Sequence, residues 1–184
     1  MAYRYGLRYN PSVQDYLQFT FDDSDPEKVS AIDELCLWSA PFGMKILDGI
    51  PYRRGMTVLD ILSGLGFPLL EIAMRLGKTS RVYGLDPWET ALQRGQKKIS
   101  AGGIDHVLMC RGVAEALPFA DSSFDLLVSN NGINNVQDLD RTLQECARVA
   151  REGAPFLLTF NTEESFLEFY TIYREVLDEM DLSA

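Results

Sequence analysis

Soft metal ligands are scarce in this chain, which has one histidine and three cysteines among 184 residues. Cys36, Cys110 and Cys146 lie far apart, with no CxxC pair and no second histidine. That pattern builds neither a zinc site nor a disulfide framework, so no metal is expected and a reducing cytoplasm is the expected setting. Long apolar runs are missing as well. No stretch approaches the roughly 18–20 residues that a membrane span needs, and residues 1–10 lack the apolar segment of a signal peptide. Positive charge is in deficit, with 17 Lys+Arg against 27 Asp+Glu and a net charge of −10. A binder of phosphate backbones needs a clustered basic face, so no nucleic-acid partner is expected.

What is there suits one ordinary domain with a substantial core, 46% of the residues being hydrophobic. The charge is unevenly spread. Residues 51–160 carry twelve basic and twelve acidic side chains, residues 11–50 two and eight, and residues 161–184 one and seven. A neutral middle between acidic flanks divides the chain into an N-terminal helical lid or extension (1–50), a binding core (51–160) and a C-terminal amphipathic helix (161–184).

The core alternates short apolar runs with helix-length segments. Strands are expected at Thr57–Leu62, Arg81–Leu85, His106–Cys110, Phe124–Ser129 and Pro155–Phe160. Between them, Leu69, Ile72, Ala73 and Leu76 recur at helical spacing after Pro68. A second helix runs to about Ile99 before Gly102-Gly103, and a third covers Leu139–Ala150. Such alternation implies βαβ crossovers and a mostly parallel α/β sheet. Outside the core, Asp33–Leu47 is expected to form two short helices broken at Pro41. Near the other end Phe166, Phe169, Tyr170, Tyr173, Val176, Leu177 and Met180 form one helical stripe, expected to pack into the core.

The chemistry concentrates at strand ends. Val58-Leu-Asp-Ile-Leu-Ser-Gly-Leu-Gly-Phe-Pro68 puts Gly64 and Gly66 in a strand-to-helix turn, where a backbone without Cβ lets a ligand approach. Asp86 closes the next strand, 26 residues after Asp60; a carboxylate there accepts both ribose hydroxyls of an adenosine-containing cofactor, or else caps the following helix. Gly112-Val-Ala-Glu-Ala-Leu-Pro-Phe119 follows the third strand. An NAD-type loop would read G-x-G-x-x-G, and here Leu69 stands at the last glycine.

In the order and spacing of these pieces the stretch from Val58 to Phe160 resembles the class I S-adenosylmethionine-dependent methyltransferases, in particular the small-molecule branch that includes quinone C-methyltransferases. The resemblance implies a Rossmann-like three-layer α/β sandwich with a parallel sheet of order 3-2-1-4-5, S-adenosylmethionine as cofactor and S-adenosylhomocysteine as product. It assigns the glycine loop (Asp60, Leu62, Ser63, Gly64, Gly66) to the methionine part, Asp86 to the ribose, and Pro87 and Trp88 to the adenine wall. Val113, Ala114 and Glu115 go to the adenine edge, and Asn130 lies near the sulfonium. Two positions depart from the family. Leu62 stands where a third glycine usually begins the loop, either out of the way in a β conformation or obstructing the methionine carboxylate. Val113 replaces an acid that bonds the adenine amine, leaving that edge to Glu115 or to backbone atoms.

For the acceptor, the resemblance points to the loop after the fourth strand, with Asn131 and Asn134 as candidates and Trp38 in a lid. No catalytic residue or general base is identified. The family's usual last two strands are missing after the fifth, so either a shortened chain or a homodimer that covers the strand-five edge is expected. The function expected is methyl transfer to a small-molecule acceptor; the alternative is a non-catalytic cofactor-binding regulatory module that keeps the fold.

Overall fold

A computed structural model describes residues 22–35, 39–162 and 164–180. Two helices, α1 (Pro26–Leu35) and α2 (Ala40–Gly49), precede the sheet. The break between them comes before Pro41, which sits in the first turn of α2 instead of interrupting a helix. That is where proline belongs, since the first turn has no partner for its missing N–H. Then follow β1 (Thr57–Ile61), α3 (Leu69–Leu76), β2 (Arg81–Asp86), α4 (Glu89–Gly102), β3 (Val107–Arg111), β4 (Leu126–Asn130), α5 (Leu139–Val149), β5 (Phe156–Thr159) and α6 (Leu167–Glu179).

Among the described residues the sheet has five strands, all parallel, in the order β3-β2-β1-β4-β5. This is the expected order, and it puts the reversal of strand sequence between β1 and β4. Apolar residues cover both faces because crossovers put helices on both. On one face Val58, Val82, Leu126 and Val128 pack under α2, α3 and Ile99 of α4. On the other, Leu59, Ile61, Leu85 and Leu127 pack with Leu117, Phe124 and Cys146 and Val149 of α5. Tyr83, Phe119 and Phe124 meet edge to face there, with centroids 4.9–5.8 Å apart.

Each of the five strands differs from its expected bounds by one or two residues at one end or both, and two of these shifts mark a change of backbone. The first strand stops at Ile61, because Leu62 leaves the extended region (φ 60°). The fourth begins at Leu126; Phe124 makes only an isolated bridge to Ala150. The larger correction concerns the last helix. No residue of α6 is buried, and Phe166, Phe169, Tyr170 and Tyr173 are each about half exposed or more. Its stripe has the spacing of a core face, but no other element covers it among the described residues.

Candidate functional site

The loop after β1 is strapped to the end of β2. Leu62, Gly64 and Gly66 all take positive φ (60°, 51° and 96°). Ser63 N–H donates to the Leu85 carbonyl at 3.1 Å, and Gly66 N–H to the Ser63 carbonyl at 2.9 Å. Asp86 completes the strap: Oδ2 accepts from Gly64 N–H at 2.7 Å and Oδ1 from Trp88 N–H at 2.8 Å. Asp86 is therefore not a simple cap, and α4 has Trp88 as its own N-cap residue. Burial pushes the Asp86 pKa up, against the pull of the two N–H groups. Each oxygen still has a lone pair to offer, since a carboxylate accepts about four hydrogen bonds.

Beneath the loop, Asp60 pairs in register with Gly84 of β2. It is fully buried, and neither its oxygens nor Ser63 Oγ has a hydrogen-bond partner among the described residues. A Cβ on Gly84 would lie 2.8 Å from both Ser63 Oγ and Leu69 Cδ2, so a side chain there would have to displace one or both. Burial, then the charge of Asp86, push the Asp60 pKa well up; the Leu69 N–H at the start of α3 works weakly against them.

The segment after β3 forms the opposite wall. Ala114 is buried and Val113 is 47% exposed. Glu115 Oε1 accepts from Gln137 N–H at 2.7 Å and Asp138 N–H at 3.3 Å, tying this wall to the turn before α5. Desolvation would raise its pKa, but backbone N–H groups, its own and those of Gln137 and Asp138, hold it below the ordinary value. Arg141 Nε also donates to the Glu115 carbonyl, at 3.2 Å.

These pieces enclose a cleft of about 340 Å³ lined by Leu62, Pro87, Val113, Ala114, Glu115, Asn135, Val136, Gln137 and Asp138. The volume lies at the lower end of small-molecule sites. Five of the nine are sequence candidates. The other four, Asn135, Val136, Gln137 and Asp138, are not among them, because nothing in a polar turn marks it as the partner of a distant glutamate. Asp60, Ser63, Gly64, Gly66, Asp86, Trp88 and Asn130 do not line the cleft. Trp88 instead donates from Nε1 to the Asp23 carbonyl at 2.8 Å. Leu62 does not have the β conformation that would keep it aside: its backbone is left-handed and it lines the cleft.

The candidate asparagines knit β4 to β5. Asn130 Oδ1 accepts from Thr159 Oγ1 at 2.9 Å, and its Nδ2 donates to the Ser39 carbonyl at 3.4 Å. Asn131, at φ 57°, donates its N–H to the Thr159 carbonyl, while its buried Nδ2 has no partner among the described residues. Asn134 donates to the Asn131 carbonyl at 3.2 Å and accepts from Asn161 N–H at 3.0 Å. Trp38 lies outside the described residues.

A partly apolar slot beside a buried carboxylate with spare lone pairs fits a flat heterocycle joined to a hydroxyl-bearing ring. It lies beyond the carboxyl ends of parallel strands at the switch point, as in the α/β proteins that bind nucleotide-like ligands. Residues 53–180 match the family described as the methyltransferase domain, and the chain belongs to that family.

Among curated proteins it is 31% identical over 121 residues to the demethylmenaquinone methyltransferase of Anoxybacillus flavithermus, covering 66% of this chain and 51% of that one. It is 36% identical over 107 residues to the ubiquinone/menaquinone biosynthesis C-methyltransferase UbiE of Escherichia coli, covering 58% and 43%. The chain thus spans about half the length of the curated relatives it matches. Among solved structures, a SAM dependent methyltransferase from Aquifex aeolicus aligns with a TM-score of 0.61 at 25% identity, covering 69% of this chain and 68% of that one.

Proposed function

We propose that this chain is the cofactor-binding part of an S-adenosylmethionine-dependent methyltransferase acting on a small-molecule acceptor, with S-adenosylhomocysteine as the product. The observation that carries the reading is a convergence. Residues after β1 (Leu62), β2 (Pro87) and β3 (Val113, Ala114, Glu115) line one cleft beyond the strand ends, and Asp86 beside it clasps the glycine loop.

In this reading the spare lone pairs of Asp86 accept the ribose hydroxyls. Pro87, Val113 and Ala114 flank the adenine, with Trp88 bracing that wall from behind, and Glu115 holds the base edge in shape. Asp60, Ser63, Gly64 and Gly66 set the course of the loop toward the methionine part. Asn130 stands near the sulfonium, and the unpartnered Asn131 amide faces the acceptor side with Asn134. When bound, the cofactor supplies an electrophilic methyl group on a sulfonium. The protein's part is alignment for in-line attack and exclusion of water, which can supply much of the rate without a general base. The names of the relatives support a quinone-type ring carbon as the methylated atom.

A homodimer and a cytoplasmic setting belong to the same proposal, without nucleic acid. The exposed apolar face of α6 offers on the order of 600 Å², close to the roughly 800 Å² per partner of a standard interface. Cys110 and Cys146 are free thiols, as a reducing compartment keeps them. No helix among the described residues is long and apolar enough to cross a membrane. Titration calorimetry with S-adenosylmethionine and S-adenosylhomocysteine tests the reading: both should bind, and absence of heat with either would sink it. Binding without turnover on quinol acceptors would favour a non-catalytic module, for which the departures at Leu62 and Val113 speak.

A further inference from the structure

Resting on the cofactor reading above, we propose that Leu62 is a specificity-determining residue that closes the tail end of the cleft, so that the nucleoside half of a ligand carries the affinity and the amino-acid tail adds little. Several observations meet at this residue. Of the loop residues 62–66, only Leu62 lines the cleft; Ser63, Gly64 and Gly66, which would otherwise meet a tail, do not. Its backbone has φ 60°, a region that branched aliphatic residues rarely take, so the fold and not local preference directs its side chain.

The side chain is also held in place. It packs against the buried cluster of Leu59, Ile61 and Leu85, so swinging aside would forfeit apolar contacts. On its other flank a Cβ at Gly132, in the short 3-10 turn (Gly132–Asn135) after β4, would lie 2.5 Å from Leu62 Cβ. Leu62 and that turn therefore abut, and the passage between the loop and the β4 end is filled. Three of the loop's donors are engaged as well. Ser63 N–H goes to Leu85, Gly64 N–H to Asp86 and Gly66 N–H to Ser63. A tail carboxylate reaching this loop would find a leucine in front and these three N–H groups taken.

The experiment compares S-adenosylhomocysteine with 5′-methylthioadenosine, which keeps the nucleoside and thioether but lacks the amino-acid tail. Calorimetry is run on the wild-type chain, Leu62→Gly and Leu62→Ala, with circular-dichroism melts to establish that each is folded. For the wild type the two ligands should bind within about threefold of each other. Leu62→Gly should tighten S-adenosylhomocysteine by roughly tenfold or more, the scale of a relieved steric filter, and leave 5′-methylthioadenosine nearly unchanged. Leu62→Ala should fall between, and carries the test alone if the glycine variant does not fold. A wild type that already prefers the tailed ligand by tenfold, or a variant in which the two ligands gain equally or not at all, overturns the role of Leu62 and leaves the cofactor reading standing. Failure of both ligands on every variant overturns the cofactor reading itself, and this proposal with it.

Discussion

Asp60 is the most exposed to argument of the single residues, because it is fully buried and both its oxygens lack partners among the described residues. An ionised carboxylate in that position is costly, so the folded state keeps the proton to higher pH than the unfolded chain, whose ordinary value is 3.8. The sign follows from proton counting: the native form binds more protons between the two values, so stability is full in acid and falls as pH rises through the raised value. Asp60→Asn mimics the neutral form. It should unfold at higher denaturant than the wild type near pH 7, by on the order of 1–3 kcal/mol, and match it below pH ~3.8. Urea titrations at several pH values check this, and equal midpoints at neutral pH would show that the buried carboxyl costs nothing. Asp86 behaves differently because both of its oxygens hold N–H groups. Asp86→Ala should weaken S-adenosylhomocysteine binding by about 1–3 kcal/mol through loss of acceptors and of the loop clasp. Unchanged affinity by calorimetry would separate this residue from the ribose.

Between elements, the wall after β3 has no strand or helix of its own and hangs on α5. Glu145 Oε2 accepts from Leu117 N–H at 2.9 Å, and Arg148 donates to Glu145 at 2.7 and 2.9 Å and to the Leu117 and Phe119 carbonyls at 2.9 and 2.7 Å. The Arg148 guanidinium is the main reason that the Glu145 pKa drops from 4.5 to about 2. Its stabilisation is complete above the unfolded value near 4.5 and is lost as pH falls toward 2. Glu145→Ala should cost about 1–3 kcal/mol at pH 7 by urea denaturation, and the gap to wild type should close in acid. Little of this latch was legible beforehand, since Glu145 and Arg148 read as an ordinary pair of helix charges and the backbone they hold, around Leu117, lies 28 residues before Glu145. The elements themselves were legible, because parallel strands buried on both faces leave nearly continuous apolar runs such as Val58–Ile61, broken only by Asp60, and Leu126–Val128. Gly64, Gly66 and Asp86 were legible as a unit for the same reason: strand ends at a switch point demand turns and leave carboxylates beside them. Leu62 was not. A branched residue carries no mark of a left-handed backbone, and only the closeness of Gly132 shows where its side chain is held.

At the scale of the molecule, hydrophobic period and hydrophobic burial part company in α6. Phe169, Tyr173, Val176 and Met180 recur as a core stripe does, yet each is 44–61% exposed. At 100° per residue Glu168, Glu175 and Glu179 fall on one flank of the same helix, about 90–130° around from that stripe, so two apolar faces can meet without burying the acids. The like charge of two chains at −10 each opposes that meeting at long range, and salt weakens the opposition. Self-association should therefore strengthen between low and moderate ionic strength, the reverse of what a salt-bridged interface shows. Replacing Phe169 and Tyr173 together by aspartate removes the centre of the face. Because neither side chain is buried, the melting transition of the core should move by no more than about 0.5 kcal/mol in stability. Sedimentation velocity over a concentration series is the measurement: the wild type should shift to a larger species as protein and salt rise, and the double variant should remain a single small one. A wild type that sediments as a monomer throughout would remove the homodimer from the proposed function, and leave the aromatic face of α6 without a second copy as its partner.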